Sequence, residues 1–79
     1  MKVHVKLFAT LARFSPGGLA GTPFDVDLVD GATIADLAKQ LKLPKDEMKV
    51  SFVNARIRDS DWVLQPDDEV GFFPPVGGG

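Results

Sequence analysis

The sequence ends in Gly77, Gly78 and Gly79, and the last of these carries the group with the clearest chemical potential, a terminal carboxylate. Glycine has no Cβ atom, so such a segment can approach another protein's backbone closely. A terminal carboxyl group has a pKa of about 3.3 to 3.7, which makes it an anion and a poor electrophile at neutral pH. Its carbon would therefore react with a nucleophile only after a partner had activated it. We predict that Gly79 is the reactive position.

Two prolines precede the glycines and are expected to project them from the body of the protein. Proline restricts its own φ to about −65° and disfavours helix at the residue before it. At about 3.3 to 3.6 Å per residue, residues 74–79 would span about 20 Å, enough to enter a partner's active site. The alternative is a frayed linker, which glycine-rich ends often form. We assign residues 1–73 to a folded domain and residues 74–79 to a flexible C-terminal tail, which consists of Pro74, Pro75, Val76, Gly77, Gly78 and Gly79.

No other set of residues has the spacing of an active site or a metal site. The chain lacks cysteine, which excludes disulfides, thiolate ligands and a persulfide held on a side chain. The single histidine, His4, is expected to be a solvated strand residue. We therefore predict no bound metal or cofactor and no active site of the chain's own.

An acidic group near the end of the chain lacks the ligand spacing of a calcium loop. It is expected to form a solvated turn, with docking to a basic partner surface as the alternative. Its members are Asp59, Asp61, Asp67, Asp68 and Glu69.

Length, composition and charge limit the class of protein. A chain of 79 residues is expected to form one small domain, and such a domain buries only about 60% of its unfolded surface, which leaves no room for a deep catalytic pocket. No apolar run approaches the roughly 20 residues that span a bilayer, and the first residues lack a signal-peptide stretch, so a cytoplasmic protein without membrane contact is expected. A net charge of −2 argues against nucleic-acid binding, because no basic stripe is available to neutralise phosphates.

Alternation of apolar and polar residues predicts the strands that position the tail. Residues 2–9 place Val3, Val5 and Leu7 on one face, whereas Phe8 falls on the other. Residues 24–29 alternate in the same way and are expected to form a hairpin with the first strand, across a long loop at residues 10–23 that has room for a helical turn at residues 11–14. Further strands are predicted at residues 49–53, 56–58 and 69–73.

One helix is predicted between the second and third strands. Thr33 is its expected N-cap, with Asp36 completing a variant of the capping box, and Pro44 is expected to end it. Residues 62–64 are expected to pack a loop against the core. The apolar helix residues recur at i, i+3, i+4 and i+7, at Ile34, Leu37, Ala38 and Leu41.

This order of elements predicts an α+β protein with the β-grasp, or ubiquitin-like, fold. The expected architecture is a mixed sheet of four to five strands around one main helix. In it, Phe8 and Phe73 both face away from the core, and they would form one apolar patch if the first and last strands are neighbours. Such a patch is typical of a protein-binding surface, with Ile57 as a third candidate member. The alternative for either phenylalanine is that the loop at residues 10–23 covers it.

The ending FFPPVGGG at residues 72–79, preceded by DDEV at residues 67–70, resembles that of the MoaD/ThiS group of ubiquitin-like sulfur carriers. Within this group the chain is most similar to the small, sulfur-carrier subunit of molybdopterin synthase. Gly78 and Gly79 fall on the terminal pair of the pattern. The chain departs from the pattern at Asp67, where glycine is usual, and at Ala12, where arginine is usual and Arg13 follows instead.

The resemblance implies a function for the terminal glycine. In this family a ubiquitin-activating-type adenylyltransferase, which uses ATP and Mg, converts the carboxylate to an acyl-adenylate. A sulfur donor system fed by a cysteine desulfurase then produces a thiocarboxylate, and the large subunit of molybdopterin synthase uses that sulfur to build the molybdenum or tungsten cofactor. The carrier is a non-catalytic subunit, and its contacts to the large subunit lie at positions matching Phe8, Ile57 and Phe73.

Three other functions remain open at this point. The chain is also compatible with the sulfur carrier for the thiamine thiazole ring, although members of that type usually have a shorter first loop and lack the two prolines. It is compatible with a ubiquitin-like modifier whose Gly79 is joined to lysines. The last alternative is a passive interaction domain with a frayed end.

Overall fold

The computed structural model describes residues 1–75, and its elements follow the predicted order. The main helix, α1, spans Ile34–Gln40, and short 3-10 segments occur at Ala9–Phe14, Pro16–Gly18 and Lys45–Glu47. The strands are β1 at Lys2–Leu7, β2 at Phe24–Asp27, β3 at Val50–Val53, β4 at Arg56–Ile57 and β5 at Glu69–Phe73.

The strands form one mixed sheet in the order β2-β1-β5-β3-β4. β1 and β5 are parallel, whereas the β1–β2, β3–β5 and β3–β4 pairs are antiparallel. The β-grasp prediction is confirmed, with five strands against one helix. The strand that leads into the tail, β5, lies at the centre of the sheet.

The core lies between one face of the sheet and α1. The predicted inward residues of β1, namely Val3, Val5 and Leu7, have no exposed surface, and Phe72 of β5 is equally buried. The helix contributes the predicted apolar stripe, with Leu41 only partly buried at its end. Alternation in the strands and the i, i+3, i+4 pattern in the helix therefore identified the core correctly.

The capping box that begins α1 is present. The backbone N–H of Thr33 donates to Oδ2 of Asp36 at 2.9 Å, and the backbone N–H of Asp36 donates to Oγ1 of Thr33 at 3.2 Å. The hydrogen bond from the Thr33 backbone N–H is the main cause that lowers the pKa of the Asp36 carboxyl, and the Thr33 side chain adds to this effect. The helix ends before Pro44, because Lys42 takes a left-handed conformation with φ of 60° and Leu43 N–H turns back to the carbonyl of Ala38.

Two expectations about the loops are corrected. Of the segment predicted to pack on the core, only Leu64 is buried; Trp62 and Val63 are 40% and 46% exposed. Val63 forms an isolated antiparallel bridge with Thr33 through its backbone. Asp68 is not a solvated turn residue, because its carboxylate accepts hydrogen bonds from Asn54 Nδ2 and the Gln65 N–H and is largely buried. The predicted helical turn after β1 is present as a 3-10 segment, and its Leu11 joins the core.

Candidate functional site

The first and last strands are neighbours, and this brings Phe8 and Phe73 together. β1 and β5 run parallel with Leu7 opposite Phe72, and the Phe8 N–H donates to the Phe72 carbonyl at 3.2 Å. Both Phe8 and Phe73 therefore stand on the face of the sheet away from α1. Their rings are stacked, with centroids 4.2 Å apart and an angle of 2° between the planes.

Both rings are only partly exposed, because each covers a face of the other. The loop between β1 and β2 also reaches Phe8: a Cβ atom on Gly21 would lie 3.5 Å from the ring edge, and the Gly21 N–H donates to the Leu7 carbonyl. The alternative that the loop covers a phenylalanine thus holds in part, for one edge of Phe8. The remaining surface of the pair faces outward.

Gly71 provides the space in which the Phe8 ring lies. A Cβ atom on Gly71 would be 3.3 Å from Cε2 of Phe8, closer than side chains normally approach without a shift. Gly71 is opposite Lys6 on β1 and Phe52 on β3. A residue without a side chain at the centre of the outer face therefore lets the Phe8 ring cross the β5 backbone.

Phe52 is a further member of the patch that the sequence analysis did not single out. Its ring meets that of Phe73 edge to face, with centroids 5.3 Å apart at an angle of 74°. It is also directly opposite Ile57 across the β3–β4 pair. The signal that could have identified it is the short turn at Asn54 and Ala55, which pairs Phe52 with Ile57 across the hairpin. We call Phe8, Phe73, Phe52 and Ile57 the outer apolar row.

Ile57 is the most exposed member of the row, at 67%. It stands on a tight hairpin whose two turn residues, Asn54 and Ala55, have φ of 50° and 69°, the pattern of a type I′ turn. The Glu69 N–H donates to Asn54 Oδ1 at 3.0 Å, and Asn54 Nδ2 donates to Asp68 Oδ1 at 2.9 Å. These bonds attach the hairpin that carries Ile57 to the start of β5, the strand that carries Phe73.

The backbone is held by hydrogen bonds as far as the last residue of β5. The Phe73 carbonyl accepts from the Lys49 N–H at 3.0 Å, and Pro74 and Pro75 follow, half-buried and exposed respectively. The remaining predicted tail residues, Val76, Gly77, Gly78 and Gly79, lie outside the described residues. The domain boundary, the tail and the roles of Phe8, Ile57 and Phe73 in binding therefore stay predictions.

A polar cluster occupies the opposite end of the outer face. His4 Nδ1 lies 2.6 Å from Asp25 Oδ1, and His4 Nε2 lies 3.4 Å from Asp67 Oδ1. The hydrogen bond with Asp25 is the main cause that raises the pKa of His4 above its ordinary value. Asp67 has φ of 66°, a conformation that favours glycine, at the position where the family pattern usually has glycine.

The described part of the chain, residues 1–75, contains no group of three or more histidine, cysteine or carboxylate residues placed to hold a metal ion. Within the same range no helix is both long enough and apolar enough to cross a membrane. What the outer face offers is an apolar surface beside the start of the tail. Apolar surfaces of this kind are typical of protein-binding sites.

Comparison with known proteins places the chain among small β-grasp proteins. The model of the ThiS family matches residues 5–79. No curated protein sequence is significantly similar to the chain.

Several solved structures are similar over nearly the whole chain. SAMP1 from Haloferax volcanii is 25% identical, with a TM-score of 0.73 and coverage of 100% of both chains. A putative molybdopterin converting factor, subunit 1, from Pyrococcus furiosus is 30% identical, with a TM-score of 0.72 and coverage of 95% of this chain and 98% of that one. A further structure, of H. volcanii small archaeal modifier protein 1, is 23% identical with a TM-score of 0.74, covers 95% of this chain and 98% of that one, and shows the shared fold.

Proposed function

Since this chain belongs to the ThiS family, we propose that it is a sulfur carrier whose Gly79 carboxylate is adenylated and then converted to a thiocarboxylate. The sulfur would be donated for molybdopterin biosynthesis. The chain is a ThiS/MoaD-like sulfur carrier or a ubiquitin-like modifier, and both classes need an activated terminal glycine. The proposal selects the first class and, within it, the molybdenum or tungsten cofactor.

The observation that carries the proposal is that the tail starts, at Pro74, beside the outer apolar row. Phe73 is packed between Phe8 and Phe52, and Pro74 follows it directly. A partner that covers the row is therefore brought to the start of the tail. Enclosure of a reactive acyl group in a partner's site protects it from water, as sulfur transfer requires.

The proposed chemistry needs nothing from the chain except its last residue. A carboxylate oxygen of Gly79 attacks the α-phosphorus of ATP, and pyrophosphate leaves. A sulfide equivalent, the terminal sulfur of a persulfide on the donor, then attacks the acyl carbon, and AMP leaves. A thiol of the donor system attacks the sulfur that still belongs to the donor, which breaks the S–S bond, leaves a disulfide on the donor and releases the thiocarboxylate. ATP and Mg would be bound by the adenylyltransferase, and the sulfur would come from a donor fed by a cysteine desulfurase. The absence of cysteine from the chain is consistent with this role, because no internal thiol competes for the activated carbon.

Three observations favour molybdopterin over the thiamine thiazole ring. The segment FFPPV at residues 72–76 and the long loop between β1 and β2 both fit the molybdopterin type. The similarity to a putative molybdopterin converting factor subunit extends over 95% of the chain. The partner that would receive the sulfur is then a large subunit of molybdopterin synthase type.

A second candidate function is conjugation to proteins. It is favoured by the similarity to SAMP1, which extends over the whole of both chains. In that case a lysine amine, and not a sulfide, attacks the adenylated Gly79, and an isopeptide bond forms. The first step is the same, so the two functions differ only in the nucleophile.

Intact-mass measurement of the chain isolated from its own cells tests the proposal. A sulfur carrier should show a fraction of molecules in which one oxygen has been exchanged for sulfur, and alkylating agents should modify that fraction. Deletion of Gly78 and Gly79, which leaves a single terminal glycine, should abolish it, whereas Gly77→Ala, at a position that varies in the family pattern, should retain it. Only lysine-linked adducts of larger mass would favour the modifier, and normal function without Gly78 and Gly79 would indicate a passive domain.

A further inference from the structure

A groove of about 760 Å³ lies next to the outer apolar row, between α1 and the chain from β3 to β4. Its floor is apolar and consists of buried side chains from α1 and the turn after it, with the half-buried side chain of Met48 before β3. These residues are Ile34, Ala38, Leu43 and Met48. The groove is open to the surface.

Four cationic side chains line this groove: Lys39, Lys45, Lys49 and Arg58. Within residues 1–75 none of them forms an ion pair. The lining contains two carboxylates, and one of these, Asp36, already accepts the hydrogen bond that caps α1. Four cations against two carboxylates leave the rim of the groove with an excess of positive charge above an apolar floor.

Arg58 lines the groove, and its side chain is held in place between the groove and Trp62. Its guanidinium carbon lies 4.0 Å from the centroid of the Trp62 ring, so the side chain is stacked on an aromatic face. The Arg58 N–H also donates to the Ser51 carbonyl of β3 at 3.0 Å. A positioned arginine loses little conformational freedom when a carboxylate binds it.

The groove is continuous with the outer apolar row. Ile57 is the end of the row and also lines the groove, with 67% of its surface exposed. Val50 is opposite Phe73 in the β3–β5 register and lines the groove as well. A protein that covers the row and passes over the edge at β4 therefore arrives at the groove.

We propose that this groove binds an acidic segment, with apolar side chains between its carboxylates, from the same partner that covers the outer apolar row. The inference rests on the proposed function, in which the activating enzyme must receive the tail, and is therefore brought to the outer apolar row, before the large subunit uses the same surface. It assigns the segment to that ATP-dependent enzyme. Carboxylates of the segment would pair with the lysines and Arg58, and its apolar side chains would lie on the floor. The contact gives the activating enzyme a second point of attachment, away from the tail.

Charge reversal on either side of the groove tests this. Lys39→Glu and Lys45→Glu should each raise the KM for the carrier in ATP–pyrophosphate exchange by about tenfold, with kcat unchanged, because the lost attraction acts on association. The increase should become smaller as salt concentration rises. Lys42→Glu is the matched control: it lies between the two positions, carries the same change of charge and does not line the groove. Its KM should stay within about twofold of the unaltered chain.

Each other outcome would overturn the inference. An equal effect of Lys42→Glu would show that only net charge matters. If removal of residues 76–79 changes the amide resonances of the groove residues, the occupant is the chain's own tail. If the chain forms a dimer and Lys45→Glu dissociates it, the occupant is a second copy. If exchange occurs and its KM for the carrier is the same for the groove variants as for the unaltered chain, this inference alone is rejected. No exchange with the unaltered chain would reject the proposed function itself, and the inference with it.

Discussion

The rings of Phe8 and Phe73 lie parallel, 4.2 Å apart, although 65 positions separate the two residues in the sequence. They meet because β1 and β5 are parallel neighbours. Phe73 is also the last residue of β5, so the stack holds the point from which the tail departs. Residues that support either ring are therefore expected to affect the tail's presentation to a partner.

A double-mutant cycle should detect the stack. Phe8→Leu and Phe73→Leu keep apolar bulk but remove the parallel rings, and the coupling in the free energy of unfolding should be about 0.5 to 1.5 kcal/mol. Urea denaturation measures it. Phe24→Leu is the control partner, since Phe24 packs against the core from β2. A cycle between Phe24 and Phe73 should show coupling near zero, and equal coupling in both cycles would contradict the assignment.

Gly71→Ala should change the packing of the outer apolar row clearly and the free energy of unfolding only slightly. The added Cβ atom would be 3.3 Å from Cε2 of Phe8, so the ring must shift by a few tenths of an ångström or leave the stack. Alanine is favoured over glycine in a strand by about 0.5 to 1 kcal/mol, which offsets part of the steric cost. The expected result is a small change in the free energy of unfolding with a clear loss of the ring-current shifts of Phe73.

The Phe8→Ala background is the internal control for that variant. With the ring removed, Gly71→Ala has nothing to displace and should no longer change the Phe73 resonances. If the two changes act independently, the contact between Gly71 and Phe8 does not have the role given to it here.

Ala55→Gly should stabilise the protein. Ala55 has φ of 69°, and the left-handed conformation costs a residue with a Cβ atom about 1 to 2 kcal/mol, whereas glycine loses about 0.5 to 1 kcal/mol through its greater freedom when unfolded. The free energy of unfolding in urea should therefore rise by about 0.5 to 1 kcal/mol. Ala35→Gly, on the exposed side of α1, should instead lower it by about 1 kcal/mol. A loss of stability at both positions would reject the strain at Ala55.

The His4 cluster should make stability depend on pH. The hydrogen bond with Asp25 and the negative charges of Asp25 and Asp67 raise the pKa of folded His4 above the ordinary value of 6.5. Its contribution to stability is thus fully present below the unfolded pKa and is lost as pH rises through the folded pKa. NMR titration of the His4 ring protons should give a value above 6.5, and Asp25→Asn should lower it. His4→Gln should flatten this part of the stability profile, and a profile that instead rises with pH in this window would contradict the assignment.

Much of the fold could be predicted because it depends on neighbours in the sequence. The alternation in residues 2–9 and the spacing of Ile34, Leu37 and Ala38 follow from the periods of strand and helix, and each set is buried as expected. The capping box needs only Thr33 and Asp36, three positions apart. Contacts that depend on loop geometry could not be predicted from neighbouring residues. For that reason the exposure of Trp62 and the burial of Asp68 were not predicted.

By itself, the sequence determined the chemistry and the local structure of this protein. The absence of cysteine is read directly from the residues, and the prediction that a partner must activate Gly79 follows from the chemical type of a carboxylate. Only the tertiary structure decided which side chains surround the start of the tail. The place of β5 between β1 and β3, and the register of each pair, bring Phe8, Phe52 and Ile57 into one row with Phe73. Such contacts between distant strands arise from sheet order and register, which no local period encodes.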